Sequence, residues 1–356
     1  MGTTTAMAKR NPSRFSFGVA ALLAIVTFAA GGERPASAQQ LERLAAPGPW
    51  PGVSELIAYD GAIWFVNSEP FENVNAADVY RYDLTTGQVR YETGLASQSL
   101  GSPSVYQGHL YWPFEDPRSN SGLGEYAVTD GKSWRWNTFT EGVALHVHTI
   151  QACGNRLLAG TGGWEGALQM SPDGGPGWRE VYRLPEVQGQ LSRITEIVSF
   201  QDRCYFAVTA WDQPGPRLYE WTGSAARPVE QWPASERITS LTVYGGYLYG
   251  LSDGPGGRTL WRYDGSKVDR VEFVAESLLR DLAAAPDGLY AVSSNNNDGA
   301  LWRTSDGTTW TLVQRIQGER PIDVFALGDQ IYVGTHAGTA GGALWGPRLA
   351  APAPST

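Results

Sequence analysis

A strand-turn-strand pattern recurs along most of this chain. Residues 240–265 read SLTVYGGYLYGLSDGPGGRTLWRYDG, three short alternating segments separated by turn-forming glycines. Alternation with a period of two predicts half-buried strands, and the Gly-rich junctions predict hairpins between them. The pattern can be found seven times, and no segment sustains the apolar i, i+3, i+4 spacing of an amphipathic helix. The repeat therefore predicts an all-β chain.

The spacing of the copies predicts the architecture. The copies align on the residue before the aromatic of the second strand, at intervals of 41–47 residues, which is typical of propeller blades. These reference residues are Ile63, Leu110, Leu157, Cys204, Leu248, Leu289 and Ile331. The next residue is aromatic in six copies of the seven. We expect a seven-bladed β-propeller.

The two ends of the repeat predict how the ring closes. The seventh copy stops after its third strand, and a lone strand-like piece, LERLAAP at 41–47, precedes the first copy. We expect this piece to supply the fourth strand of the last blade, because such closure leaves no long unpaired edge. The predicted organisation is one propeller domain over 39–351 and a disordered tail over 352–356.

Residues 1–38 have the features of a signal peptide. Lys9, Arg10 and Arg14 form a basic region, 17–30 is apolar, and Ala36-Ser37-Ala38 provides a small-x-small cleavage site. The alternative is a membrane anchor, but fourteen apolar residues are short for a span. We expect cleavage, a secreted or periplasmic protein, and no membrane span afterwards.

The charge and the cysteines limit the partners and the bonding. The net charge is −9, and the leader carries more basic than acidic residues, so the exported protein is more acidic still. An acidic protein is a poor candidate for binding nucleic acid. The two cysteines, Cys153 and Cys204, are predicted at one rim of neighbouring blades. They form either a disulfide or two small buried residues.

Polar residues recur at fixed positions in the first strands, at the rim where a propeller binds ligands. Eight positions before the reference residues lie Glu55, Ser102, Thr149, Glu196, Ser240, Asp281 and Asp323. Nine or eleven before lie His146, His148, Thr195, Arg193, Arg237, Thr239, Arg280 and Arg320. One interpretation is that these acids and arginines neutralise each other and hydrogen-bond neighbouring blades. The other is a pocket for a polar or anionic ligand, with Arg193, Arg237 and Arg320 as donors.

His146 and His148 form a second kind of candidate. At positions i and i+2 of a strand they point to one face, as two metal ligands would. Glu196 is the nearest candidate for a third ligand, yet no HExxH or CxxC spacing supports a metal. We predict no metal and favour a histidine pair that hydrogen-bonds the channel or a ligand; no cofactor is indicated.

Long loops at the same rim carry aromatic and acidic residues together. The aromatics are Phe71, Phe114, Trp164 and Trp211, and the acids are Glu69, Glu115, Asp116, Glu165 and Asp212. An aromatic face beside a carboxylate can hold a sugar ring, although Trp164 and Trp211 could instead cover gaps between blades. Two facing carboxylates could also cleave a glycosidic bond.

Three hairpins carry a further motif: SPDGGPGW at 171–178, TSDGTTW at 304–310 and VTDGKSW at 128–134. Here the chain resembles Asp-box (bacterial neuraminidase repeat) propeller proteins. The resemblance implies that Asp173 and Asp306 accept backbone hydrogen bonds, and that Trp178 and Trp310 pack between strands, away from any active site. It implies fold rather than activity. The arginine motif of the sialidases is missing, so we do not expect sialidase activity.

No nucleophile elbow or phosphate-binding loop is present. We predict a binding or scaffold protein that recognises a carbohydrate or another extracytoplasmic protein through its loop-rich rim. The candidate ligand-binding residues are His146, His148, Arg193, Glu196, Arg237, Asp281, Arg320, Asp323, Trp164 and Trp211. The alternative is a polysaccharide-acting hydrolase or lyase that uses rim carboxylates and the His146/His148 pair.

Overall fold

A computed structural model describes residues 40–348 apart from 73, 75, 118–121, 140–143, 187–189, 211–214, 234, 236, 255–256 and 274–276. These residues belong to one compact unit, Ala38–Thr356. The signal segment and the tail at 352–356 lie outside the described residues, so those boundaries remain predictions. Within the part described, no helix is long and apolar enough to cross a membrane.

Seven groups of four antiparallel strands form the blades, as predicted. Blade 1 contains β2 (Gly52–Tyr59), β3 (Ala62–Ser68), β4 (Ala77–Asp83) and β5 (Val89–Leu95). Blade 2 contains β6 (Ser97–Leu100) and β7 (Ser104–Tyr106), which together form its first strand, then β8 (His109–Pro117), β9 (Glu125–Thr129) and β10 (Trp134–Thr138). Blade 3 contains β11 (His146–Cys153), β12 (Arg156–Gly163), β13 (Ala167–Ser171) and β14 (Arg179–Arg183).

The remaining blades repeat the same order. Blade 4 contains β15 (Ser192–Phe200), β16 (Arg203–Thr209), β17 (Leu218–Trp221) and β18 (Ala226–Pro228). Blade 5 contains β19 (Arg237–Tyr244), β20 (Tyr247–Gly254), β21 (Gly257–Tyr263) and β22 (Val268–Val271). Blade 6 contains β23 (Leu278–Ala285), β24 (Gly288–Ser294), β25 (Gly299–Thr304) and β26 (Thr311–Ile316). Blade 7 contains β27 (Arg320–Leu327), β28 (Gln330–His336), β29 (Leu344–Pro347) and β1 (Leu41–Ala45).

The second strand of each blade explains why the repeat could be read from sequence. β3 and β24 are buried along their whole length, because neighbouring blades cover both faces. The aromatic that follows each reference residue is buried in all six blades that have one: Trp64, Tyr111, Tyr205, Tyr249, Tyr290 and Tyr332. Their burial supplies much of the hydrophobic stabilisation between blades.

The N-terminal strand closes the ring, as predicted. β1 pairs antiparallel with β29, with Leu41 opposite Pro347. The Gln314 amide of blade 6 also holds Leu41 at both backbone groups, accepting its N–H at 2.7 Å and donating to its carbonyl at 2.9 Å. Around the ring the inner strands of adjacent blades contact one another. The first strands therefore surround a central channel.

Each blade offers two ends. The end at which the first strands begin and the second strands finish is called the entry rim. The opposite end is called the turn rim. Third and fourth strands are joined at the turn rim, where Asp306 accepts the N–H groups of Thr308 and Thr309 at 2.8 and 2.6 Å. Asp173 accepts the N–H of Gly175, and equivalent bonds are made by Asp83, Asp130 and Asp264.

Trp178 is buried and donates to the Tyr126 hydroxyl at 2.9 Å. The turn geometry expected from the Asp-box resemblance is thus present, while membership of that family remains a prediction.

Cys153 and Cys204 form a disulfide at the turn rim. Their Cα atoms are 6.1 Å apart, and the bond links the end of β11 to the start of β16. Blades 3 and 4 are therefore covalently joined, on the side away from the entry rim.

Candidate functional site

A β-bulge recurs at one level of the first strands. The pairing register shifts between Val147 and Thr149, and the same shift occurs in blades 1, 4, 5, 6 and 7. A bulge inserts one extra residue and re-aims the neighbouring side chains. In blades 3 to 7 the residue that follows the bulge is the polar residue counted eight positions before the reference residue: Thr149, Glu196, Ser240, Asp281 and Asp323. The polar positions counted from sequence therefore share one level of the channel.

Four carboxyl groups lie at this level, from Glu55, Glu196, Asp281 and Asp323. Burial and mutual repulsion raise the pKa of Glu55, Glu196 and Asp323 well above its ordinary value, and burial raises that of Asp281. Asp281 Oδ2 accepts the N–H of Val324 at 3.0 Å. These groups thus favour the protonated form, and Asp281 and Asp323 link neighbouring blades by accepting backbone N–H groups.

The arginines do not pair with these acids, so mutual neutralisation is wrong, whereas the hydrogen bonds to neighbouring blades are present at Asp281 and Asp323. Among the described residues, no arginine forms an ion pair with any of the four. Arg193 lies 3.3 Å from Glu115, and Arg237 lies 2.7 Å from Asp253. Both partner acids come from second strands rather than from the ring. A charged pair nearer solvent is less costly than one deep in the channel, which accounts for the difference.

A cavity of about 370 Å³ lies on the entry side of this level and is lined by residues of blades 1 to 5. It brings together His148, Arg193, Glu196 and Arg237 from the sequence-predicted set. Hydroxyl groups cover much of the remaining wall, contributed by Ser54, Ser102, Thr195, Thr209 and Thr239. Asp281, Asp323 and Arg320 are not among its lining residues. The wall thus presents many donors and acceptors, with Pro70 and Ile238 among its apolar residues.

Glu115 is the central charged group of the cavity. It follows the buried part of β8 and places one oxygen 3.3 Å from Arg193 Nη1 and 3.6 Å from His148 Nδ1. Burial lowers the pKa of His148 to about 3, opposed by Glu115 and helped by Arg193 and His146. His148 is therefore neutral at pH 7. Its buried Nε2 has no hydrogen-bond partner within the described part of the chain.

His146 lies above His148, with ring centroids 5.5 Å apart. Its Nδ1 accepts the backbone N–H of Asp116 at 3.1 Å, so its proton is on Nε2. Burial and Arg193 lower the pKa of His146, which keeps it neutral as well. No group of three His, Cys, Asp or Glu side chains in the described residues is arranged to hold a metal ion. Of the two histidines, His146 makes a hydrogen bond, as an acceptor from Asp116, whereas His148 has Glu115 beside it at 3.6 Å.

The entry-rim aromatics differ in their placement. Trp164 is 61% exposed on the turn after β12, and the next residue, Glu165, pairs with Arg183. The exposure of Trp164 suits contact with a ligand rather than the filling of a gap between blades. Phe114 was expected in a loop but lies within β8 and is only 2% exposed, because that strand continues to Pro117. Trp211 and Asp212 lie outside the described residues.

Phe71 belongs to a separate cluster at the seam of blades 7 and 1. It is 52% exposed, and the Arg320 guanidinium lies 4.1 Å from its ring centroid. The Phe71 ring also meets the edge of His336 at 5.1 Å, and His336 Nε2 is 3.4 Å from Glu69.

Sequence reasoning placed Arg320 on this rim but missed Asp253 and Arg258. Those two meet across a hairpin at 2.5 Å, and no spacing rule marks them.

Comparisons with known proteins agree with the fold. No protein-family model and no curated protein matches the sequence. Among solved structures, YCF48 from Cyanidioschyzon merolae is 13% identical with a TM-score of 0.61, covering 86% of this chain and 98% of that one. YCF48 bound to D1 peptide is 14% identical with a TM-score of 0.55, covering 88% and 96%. A GH74 enzyme of Niastella koreensis is 13% identical with a TM-score of 0.60, covering 84% and 53%.

These similarities show a β-propeller. At such identities they say nothing about which ligand the entry rim holds.

Proposed function

We propose that this chain is an extracytoplasmic binding protein that holds the end of a carbohydrate chain in the entry-rim cavity. The observation that carries the proposal is the chemistry of the wall, where serine and threonine hydroxyls surround the Glu115–Arg193 pair. Sugar hydroxyls both donate and accept hydrogen bonds, and a wall of this kind can meet both needs. At about 370 Å³ the cavity is near the lower end for small-molecule sites, which suits one or two sugar rings.

Two features beyond the cavity support this function. Trp164 offers an exposed indole face on the same rim, where the rest of a saccharide chain would pass. The Cys153–Cys204 disulfide fits an oxidising compartment, in agreement with the signal peptide predicted at 1–38. Export therefore belongs to the proposal.

The test is calorimetric titration of the protein with neutral and acidic oligosaccharides. Glu115→Gln should weaken binding at least tenfold, because the amide breaks the pair with Arg193 and loses an acceptor. The turn rim supplies a matched control, since Glu220 pairs with Arg203 at 3.1 Å in the same way. Glu220→Gln should leave binding unchanged. Equal affinity of both variants, or no saccharide binding at all, would contradict the proposal; capture of a peptide instead would favour a protein partner.

A hydrolase is the second candidate, because two kinds of carboxyl group face one cavity. Glu196 has a raised pKa and favours the protonated form, whereas Glu115 pairs with the Arg193 guanidinium at 3.3 Å. A carboxylic acid beside a carboxylate is the pairing that glycoside hydrolases use. Glu196→Gln would then abolish release of reducing ends while leaving binding intact. A wild-type protein that binds but releases none is a binding protein only.

A further inference from the structure

Arginine side chains recur at the entry rim of blades 5 to 7. Four arginines gather there: Arg237, Arg258, Arg280 and Arg320. One carboxylate, Asp253, bonds two of them, at 2.7 Å from Arg237 and 2.5 Å from Arg258. Within the described residues the other two form no ion pair.

Arg280 is held in place by its strand and by a neighbour. It is the bulge residue of β23, and its Nε donates to the Ser294 hydroxyl at 2.9 Å. Burial, together with the charges of Arg258 and Arg320, lowers its pKa to about 10, and Asp253 opposes the shift. The guanidinium is thus fixed and half-buried, with two like charges near it. Such an arrangement is costly unless an anion is bound.

Arg320 is the second uncompensated guanidinium. It begins β27 and lies over the Phe71 ring, and its buried Nε has no hydrogen-bond partner in the part of the chain described. Burial lowers the pKa of Arg320 and Glu69 opposes the shift, but the Glu69 carboxylate lies 3.4 Å from His336 Nε2. The aromatic ring orients the cation without neutralising it.

The arginine cluster is continuous with the cavity. Arg237 lines the cavity and shares Asp253 with Arg258. Arg258 in turn donates to the carbonyl of Leu279 at 2.7 Å, beside Arg280. A ligand seated in the cavity could therefore extend over blades 6 and 7 without leaving the protein surface.

We propose that Arg280 and Arg320 together bind the carboxylate of a uronic acid, so that the ligand of the entry rim is an acidic carbohydrate. The inference rests on the proposed function and adds the charge of the ligand. Guanidinium groups match a carboxylate with paired, charge-assisted hydrogen bonds, which lysine cannot reproduce. Two of them, held by strands of adjacent blades, are already oriented before the ligand arrives.

The probes for the test are trigalacturonate and its methyl ester, which differ in charge but share a backbone. By calorimetric titration at low ionic strength, the wild type should bind the acid at least tenfold more tightly than the ester. Arg280→Gln and Arg320→Gln should each remove most of that preference while leaving the affinity for the ester near its wild-type value. Arg90→Gln is the matched control, because Arg90 is 67% exposed on the outer strand of blade 1 and should affect neither probe.

Two further results separate the possible failures. If acid and ester bind equally tightly and Glu115→Gln weakens both, the arginine site is wrong and the proposed function stands. If neither probe nor any other saccharide binds, both are wrong. Arg280→Lys and Arg320→Lys are controls for misfolding. They keep the positive charge and should retain an intermediate preference for the acid over the ester. A wild-type preference for the acid in Arg280→Gln would overturn the inference.

Discussion

Asp281 and Asp323 occupy the same level of adjacent blades, and the charge of Asp281 adds to burial in raising the pKa of Asp323. Each also accepts a backbone N–H from the following blade, Val324 at 3.0 Å and Leu56 at 3.2 Å. Two neighbouring buried carboxyl groups cannot both ionise without a large electrostatic cost, so the pair retains a proton. The inner ring of carboxyl groups thereby links neighbouring blades and stays partly protonated.

The first prediction concerns alkaline stability. The raised pKa of Asp323 means that the folded state keeps a proton that the unfolded chain releases above about pH 4. The stabilisation is fully present below that pH and is lost as the pH rises through the folded-state pKa. Asp323→Asn should therefore flatten the fall in melting temperature between pH 5 and pH 8. Melting curves of the two proteins across this range test it; parallel profiles would contradict the assignment.

The second prediction concerns acid stability and has the opposite sign. The pKa of His148 is lowered to about 3, from 6.5, so below pH 6.5 the unfolded state gains a proton that the folded state does not. This group alone should reduce the free energy of unfolding by about 1.4 kcal/mol per pH unit between those values. His148→Gln should remove that slope in urea unfolding experiments. A variant with the wild-type slope would show that His148 is charged in the folded protein.

The third prediction concerns the disulfide. The Cys153–Cys204 bond closes a loop with a sequence separation of 51, which should contribute about 2–4 kcal/mol to the free energy of unfolding. Reductant should lower the melting temperature of the wild type and leave that of the Cys153→Ser/Cys204→Ser double variant unchanged. Equal sensitivity to reductant in both proteins would exclude the bond as the cause.

The fourth prediction concerns ring closure. Gln314 satisfies both backbone groups of Leu41, so Gln314→Leu should cost about 1–3 kcal/mol and loosen β1. Hydrogen exchange should then rise at 41–45 before any other segment. Uniform protection of that strand in the variant would show that pairing with β29 alone is sufficient.

Much of the fold could be predicted from sequence, because its signals are local. The second strands are buried on both faces, and turn-forming residues separate the strands of each hairpin. The spacing of Ile63 and its six counterparts therefore indicates where the blades lie. The ring positions of Glu196 and Asp281 also followed from counting along strands.

What failed depended on contacts between distant residues. The sequence around Glu115 does not indicate that Arg193 pairs with Glu115 rather than with an acid of the ring. The length of β8, which buries Phe114, is fixed by its pairing with β6 and β9. The bonds among Asp253, Arg237 and Arg258 are likewise tertiary.

The central claim is that the entry-rim cavity holds a saccharide. A crystal structure of the protein soaked with trigalacturonate tests this most directly. The account predicts sugar density between Glu115, Arg193 and Arg237, with a carboxylate directed to Arg280 and Arg320. Sugar density at the turn rim or on outer strands, or an empty cavity at a saturating concentration of the saccharide, would contradict it.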